Sequence, residues 1–408
     1  MEGEIGSFIK VWLSVLTSLC YCYAIGNMVP KGTNRLIFLL PVVCLFLFLP
    51  LNLYSPNLGG VTAFFIAWLG NFKLLLFAFD KGPLTAHTSL PLFLAVACLP
   101  IKIQRNQPSK SQLNGQVKEN PSSKSHQNGH EKENSSTRKS KEGAVNYAIK
   151  GLLLVIMIRV YDYSEYMHPT IILLLYSMHM YFHLEIILAL SATMARSLSR
   201  LELEPQFNKP YLSTSLQDFW GKRWNLMVTS ILRPTVYEPT LRFSSTLIGR
   251  KWAPIPSVLS TFVVSALMHE LMFYYLGRMT PTGEVTLFFL IHGFFLTVEI
   301  ALKKALNGKC RLPRLVTGPL TVGFVLGTGF WLFIPQFTRC KVDVRAFEEY
   351  AEVGTLLKSA TCEFQSKWKR FSRKLPRKRK NSDLTKGVDD IHGSLTLLQH
   401  RQTALNRV

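Results

Sequence analysis

Pro256-Ser-Val-Leu-Ser-Thr-Phe-Val-Val-Ser-Ala-Leu-Met-His-Glu-Leu-Met-Phe-Tyr-Tyr-Leu276 is the stretch whose reading decides the fold of this chain. It is long enough to cross a bilayer as a helix, and two ionisable residues, His269 and Glu270, stand inside it. Holding such a pair in hydrocarbon costs several kcal/mol, so by default the pair marks a functional site.

Working outward, comparable apolar blocks lie at about Phe8 to Val29, Leu36 to Tyr54, Gly59 to Phe79, Leu90 to Ile101, Ala144 to Tyr161, Thr170 to Ser191, Ser257 to Gly277, Val285 to Leu302 and Leu315 to Ile334. A crossing helix needs roughly twenty apolar residues, so the pattern predicts an all-α, polytopic integral membrane protein with about eight full transmembrane helices and one or two partial or re-entrant segments. The fourth block is the short one, interrupted by Pro91 and Pro100.

Composition agrees, with 48% hydrophobic and 12% aromatic residues among 408. The formal charge of +22 sits in short segments flanking apolar blocks and in a tail. That distribution points to a membrane surface and acidic small molecules as partners, not to nucleic acid. Seven cysteines are scattered without paired spacing, so no disulfide framework and no zinc site are expected. The opening Met1-Glu-Gly-Glu-Ile lacks the basic region of a secretory signal, and the apolar run after it reads as a retained first span.

Lys31 with Arg35, the segment from Arg196 to Arg250, and Lys303, Lys304, Lys309, Arg311 and Arg314 favour the cytosol, and the acidic loop around Asp162 and Glu165 favours the lumen. Parity holds if the fourth block dips in and returns on the same side. The tail breaks it: its cluster from Lys367 to Lys380 belongs in the cytosol by charge, whereas a ninth full span, weakened by Gly318, Pro319, Gly323, Gly327 and Gly329, would place it in the lumen. The chain divides into N-terminal membrane helices (1–101), a polar linker rich in Ser, Asn, Gln, Gly and Lys (102–143), a membrane core (144–350) and a basic tail without fixed structure (351–408). The tail's basic residues, interleaved with Trp368 and Phe371, suit an anionic membrane surface.

Between the sixth and seventh blocks, Ser213, Thr214 or Ser215 can cap a helix that Pro234 would end. Phe219, Trp220, Trp224 and Met227 give it an aromatic face and Lys222 and Arg223 give it charge, which predicts an amphipathic helix at the cytosolic interface.

Gln217-Asp-Phe-Trp-Gly-Lys-Arg-Trp-Asn225 followed by the intramembrane His269-Glu270 resembles the membrane-bound O-acyltransferase superfamily, in its plant wax synthase and acyl-CoA:sterol acyltransferase branch. Further matching stretches are Asn71-Phe-Lys-Leu-Leu-Leu-Phe77 with Gly82-Pro83, Leu201-Glu-Leu-Glu-Pro-Gln-Phe207 and Arg233-Pro-Thr-Val-Tyr-Glu-Pro239. The resemblance covers the chain from about Phe8 to Tyr350 apart from the linker. It implies transfer of an acyl group from acyl-CoA, a co-substrate, to a lipophilic alcohol, a sterol or a long-chain alcohol, in the endoplasmic reticulum membrane, with no acyl-enzyme and no cofactor. It maps the family histidine onto His269 and the Trp-Asn motif onto Trp224 and Asn225. Asp218, Trp220, Lys222, Arg223, Trp224 and Glu270 are then candidate substrate-binding residues.

The chemistry asks for these residue types on its own terms. An alcohol is a poor nucleophile at neutral pH, and a histidine within hydrogen-bond reach can take its proton as it attacks the thioester carbon. A neutral amide such as that of Asn225 can stabilise the oxyanion, or orient the thioester, without bringing a charge into the membrane. Lys222, Arg223 and Arg233 can meet the phosphates of coenzyme A, or act only as positive-inside residues. Glu270 points about 100° away from His269, and can equally pair with a base, tune the field or serve packing.

His179 and His183 share a helix face with Glu185 nearby, but one such pair holds a metal only with ligands from elsewhere, so packing or a polar cavity lining is expected. Lys73 can snorkel to the interface, and His292 with Glu299, seven residues apart, can line the cavity of His269 or pack against a neighbour. Two other classes compete. A transporter or channel would also place charges inside spans, yet no inverted repeat is visible. A di-iron oxidase would need further histidine boxes that the sequence lacks.

Overall fold

The computed structural model describes residues 2–85, 87–101, 145–199, 204–306 and 313–374. The linker, the end of the tail beyond Lys374 and Leu201 to Leu203 lie outside them. The described residues fall into two compact units, one ending at Glu349 and the other beginning at Tyr350.

Each apolar block becomes a helix, because only a helix satisfies its own backbone groups in hydrocarbon. The order is α1 (Glu2–Met28), α2 (Thr33–Phe48, continued by a tight turn Leu49–Asn52), α3 (Pro56–Ala78), α4 (Leu90–Cys98), α5 (residues 145–160), α6 (Pro169–Ser199), α7 (Leu226–Leu232), α8 (Glu238–Trp252), α9 (Pro254–Gly277), α10 (Glu284–Ala305), α11 (Arg314–Arg339) and α12 (Val342–Lys374). Seven of these are long and apolar enough to cross a membrane: α1, α2 with its continuation, α3, α6, α9, α10 and α11. The sequence suggested about eight. Among the described residues the fifth block contributes helix 145–160, which carries Lys150 and Arg159. α11 stays one helix through Pro319 and its glycines, so the weakening expected for the ninth block does not break it.

The helix ends fix which termini lie together. At one end, Gly32 N donates to Ala78 O at 2.8 Å, and Arg35 donates to the carbonyls of Gly26, Val29 and Phe77 at 2.8–3.2 Å. Arg35 is 7% exposed and has no carboxylate partner; its charge is met by the C-terminal carbonyls of α1 and α3, the negative ends of two helices. At the opposite end, Glu4 accepts from the N–H groups of Tyr54 and Ser55, and Arg278 donates to the carbonyls of Leu51 and Leu53 at 2.9 and 3.0 Å. Arg345 reaches Tyr54 O and Leu276 O there, and Arg339 pairs with Glu284 at 2.5 Å. The far end of α11 therefore lies with the start of α10 and the end of α9.

Lys73 corrects one expectation. It does not snorkel: it is fully buried and donates to Val96 O at 2.7 Å and Leu99 O at 2.6 Å, the last carbonyls of α4. α4 ends inside the protein, and the lysine supplies the cation that a buried helix C-terminus needs. A second difference lies in the tail, which is helical as far as Lys374, with Phe364 and Trp368 exposed.

Candidate active site

The segment before α7 is not one helix. Ser215 caps its start, accepting from Asp218 N at 3.1 Å, but after Leu216–Asp218 the backbone widens into a π-helical turn, Phe219–Arg223, and reverses at Asn225. Asn225 holds a left-handed backbone, φ 38°, ψ 65°, a conformation that asparagine tolerates better than most residues. Pro234 does not end the next helix. It sits in a second wide turn, Arg233–Tyr237, that runs on into α8.

This hook descends along α10. Leu216 N donates to Glu299 Oε2 at 2.8 Å, and seven residues deeper, about 10 Å along the axis, Trp220 Nε1 donates to Nδ1 of His292 at 3.1 Å. His292 and Glu299 share a face, as their spacing implied, and both anchor the hook. His292 is wholly buried, and its Nε2 meets Thr328 Oγ1 of α11 at 2.9 Å. Thr328 gives its own proton to Phe324 O at 2.8 Å, so Nε2 is the donor and His292 is a neutral relay from indole to α11.

The ion pair of Asp218 and Arg223, 2.6 Å, closes the hook, and Arg223 also donates to Asn208 O at 3.2 Å. Gln206 braces it from outside: its carbonyl accepts from Leu226 N at 2.8 Å and its side chain donates to Pro100 O at 3.0 Å. Trp224 stacks on Phe219 at 5.5 Å and packs edge-on against Phe207 at 5.2 Å. Of the substrate-binding candidates, then, Asp218, Trp220, Arg223 and Trp224 have partners within the protein, while Lys222 is exposed with no partner among the described residues.

His269 lies fifteen residues into α9, about 22 Å from its start. Its Nδ1 is 2.7 Å from Ser265 O one turn back. A carbonyl only accepts, so Nδ1 carries the proton and the lone pair of the neutral ring is on Nε2, which has no partner among the described residues. Three rings frame the imidazole: Trp68 edge-on at 4.8 Å, Phe289 at 4.3 Å and Phe333 at 5.7 Å. Phe289 reaches it because α9 and α10 approach closely, where a Cβ on Gly293 would stand 3.0 Å from Phe262 Cβ. Trp68 and Phe333 come from π-helical stretches, Ala63–Gly70 and Gly329–Phe333. Such wide turns inside helices recur at functional sites, because the extra residue re-aims the side chains around it.

The helix that Asn225 caps packs against Trp68. Met227 and Ile231 of α7, and Met268 and Met272 of α9, form one cluster with that indole. Asn225 Oδ1 accepts from Val228 N at 3.4 Å, which caps α7 and orients the side chain, while Nδ2 has no partner among the described residues. Glu270, next to His269, turns elsewhere: its Oε1 accepts from Thr286 N at 3.0 Å and Thr286 Oγ1 at 2.9 Å, so it caps the first turn of α10.

His179 and His183 lie on α6 with ring centroids 6.2 Å apart, among Tyr161, Tyr176 and Phe347. Among the described residues, no three His, Cys, Asp or Glu side chains are grouped to hold a metal ion. Lys150 pairs with Glu185 on the same helix.

The described residues thus offer one open imidazole nitrogen at half-buried His269, framed by aromatic rings, and one open amide donor at half-buried Asn225. Sequence reading missed Trp68, Phe289 and Phe333; the sole advance signal was an indole, a hydrogen-bond donor, in the middle of the run Phe64-Phe-Ile-Ala-Trp-Leu-Gly-Asn71.

Comparison with known proteins meets this geometry. Residues 203–291, which contain the hook and His269, match the Membrane bound O-acyl transferase family. The chain is 50% identical over 352 residues to Acyl-CoA–sterol O-acyltransferase 1 of Arabidopsis thaliana, covering 85% of this chain and 95% of the relative. It is 44% identical over 352 residues to Long-chain-alcohol O-fatty-acyltransferase of Simmondsia chinensis, covering 86% and 95%. With Probable long-chain-alcohol O-fatty-acyltransferase 1 of Arabidopsis thaliana the identity is 40% over 363 residues, covering 88% and 99%. Likeness at this level, over nearly the whole of each relative, identifies the chain as a polytopic α-helical member of the membrane bound O-acyl transferase family.

Proposed function

We propose that His269 is the general base and Asn225 the oxyanion donor of this enzyme, an acyl-CoA-dependent O-acyltransferase that esterifies lipophilic alcohols. The observation that carries the reading is the fixed tautomer of His269: Ser265 O holds Nδ1–H at 2.7 Å, and Nε2 is open as a base deep in the bundle. Nε2 takes the hydroxyl proton as the alcohol oxygen attacks the thioester carbon. Asn225 Nδ2 donates to the thioester oxygen as negative charge develops there. When the carbon–sulfur bond breaks, the imidazolium returns its proton to the sulfur of coenzyme A.

Acyl-CoA enters from the cytosolic side at the hook, where exposed Lys222 suits its phosphates, and the acyl chain lies in the membrane. The alcohol arrives laterally from the bilayer. No cofactor is needed. The greater likeness to the sterol acyltransferase supports a sterol as acceptor over a long-chain fatty alcohol, and the products are then steryl esters made in the endoplasmic reticulum.

Labelled acyl-CoA given to microsomes containing the protein, with sterol and fatty alcohol in competition, tests both levels. Label in steryl ester supports the acceptor; label in wax ester reverses it. Acyl transfer that survives His269→Ala unchanged removes the base assignment.

A further inference from the structure

We propose that the indole N–H of Trp68 is a second donor to the thioester oxygen, acting beside the amide of Asn225; the inference rests on His269 being the base. Trp68 is 2% exposed, and its Nε1 is buried without a hydrogen-bond partner. Two other indoles are paired: Trp12 Nε1 donates to Thr62 Oγ1 at 3.2 Å and Trp220 Nε1 to His292 Nδ1 at 3.1 Å. An indole nitrogen can only donate, so an unpaired one in the interior is costly, and each such exception calls for a reason.

Its surroundings supply the reason. The ring stands edge-on to His269, 82° between planes and 4.8 Å between centroids. It also packs with Met227 and Ile231, on the helix that Asn225 caps. Trp68 therefore touches the ring of the proposed base and packs against the helix that the proposed oxyanion donor caps. Its π-helical stretch, Ala63–Gly70, is buried at every residue but Phe64, so the wide turn serves the interior and not the lipid face.

The chemistry chooses the acceptor atom. A donor to the attacking alcohol oxygen would withdraw electron density from the nucleophile just as His269 takes its proton. A donor to the thioester oxygen strengthens as the carbon–oxygen bond forms and negative charge accumulates, and relaxes when the carbon–sulfur bond breaks. Two neutral donors then share the oxyanion without adding a second formal positive charge to that of the His269 imidazolium.

Two replacements test this: Trp68→Phe, and 3-benzothienylalanine placed at position 68, which keeps the bicyclic shape with sulfur in place of N–H. Release of coenzyme A from acyl-CoA plus alcohol should fall about 10- to 100-fold in kcat for both, with KM for acyl-CoA changed less than about twofold. The thermal midpoint of the benzothienyl protein should match that of the unmodified protein. Wild-type kcat in the folded benzothienyl protein, or a rise in KM alone, overturns the role of Trp68 and leaves the base assignment standing. Wild-type activity in His269→Ala overturns the reading on which it rests.

Discussion

Trp220 and His292 are joined by a 3.1 Å hydrogen bond from the indole N–H to Nδ1, and the imidazole passes the connection on to Thr328 at 2.9 Å. This bond seats the hook against α10 and couples α11 to it. His292→Ala leaves a buried indole N–H without its acceptor and should destabilise the protein by about 1–3 kcal/mol. Trp220→Phe should lower the detergent-solubilised thermal midpoint similarly, and the double variant should lose less than the sum of the two. Additive losses would mean the bond contributes nothing of its own.

His269→Ala should express and sediment as the unmodified protein does and lose activity by about 100- to 10,000-fold, the range of a positioned general base. Coenzyme A release in purified protein measures it. His269→Gln, which can bond to Ser265 O but cannot act as a base, should be as impaired.

Asn225 combines a left-handed backbone, a cap and an open amide. Asn225→Gly keeps the backbone and removes both side-chain functions; Asn225→Ala removes them and adds strain of about 1–2 kcal/mol. Both should lose about 100- to 1,000-fold in kcat. The glycine variant should melt at the higher temperature, and an alanine variant as stable as glycine would count against the strained geometry.

Glu270→Gln retains an oxygen for Thr286 N and Oγ1, whereas Glu270→Ala leaves them unmet. The glutamine protein should keep most of its stability and activity, and the alanine protein should lose about 1–3 kcal/mol. Melting curves and initial rates on the two proteins separate capping of α10 from contact with substrate: a folded glutamine variant without activity would assign Glu270 to substrate.

Lys73→Met should lose about 2–4 kcal/mol, because Val96 O and Leu99 O forfeit their donor in a dry interior. Limited proteolysis near α4 should accelerate. A methionine variant as stable as the unmodified protein would show that the lysine is dispensable to that helix end.

The apolar blocks were legible because bilayer thickness sets their length, and His269 was legible because an ionisable group in hydrocarbon is costly. The hook was only half legible. Ser215 announced the cap, but the amphipathic face of Phe219, Trp220 and Trp224 reads equally as a surface helix. It becomes a hook only because Glu299 and His292, more than seventy residues later, offer acceptors down one face of α10.

By itself, then, the sequence determined that the chain spans a membrane many times and that His269 and Glu270 stand as ionisable groups inside a span, since local hydropathy depends on composition alone. Tertiary structure decided what the neighbouring polar residues do. Lys73, Glu270, His292 and Glu299 look alike in sequence, as isolated polar groups in apolar runs, and each is assigned by a partner on another helix: the end of α4, the start of α10, the indole of Trp220 and the start of the hook. A buried polar group takes its role from the group that satisfies it, and that group is known only once the helices have packed.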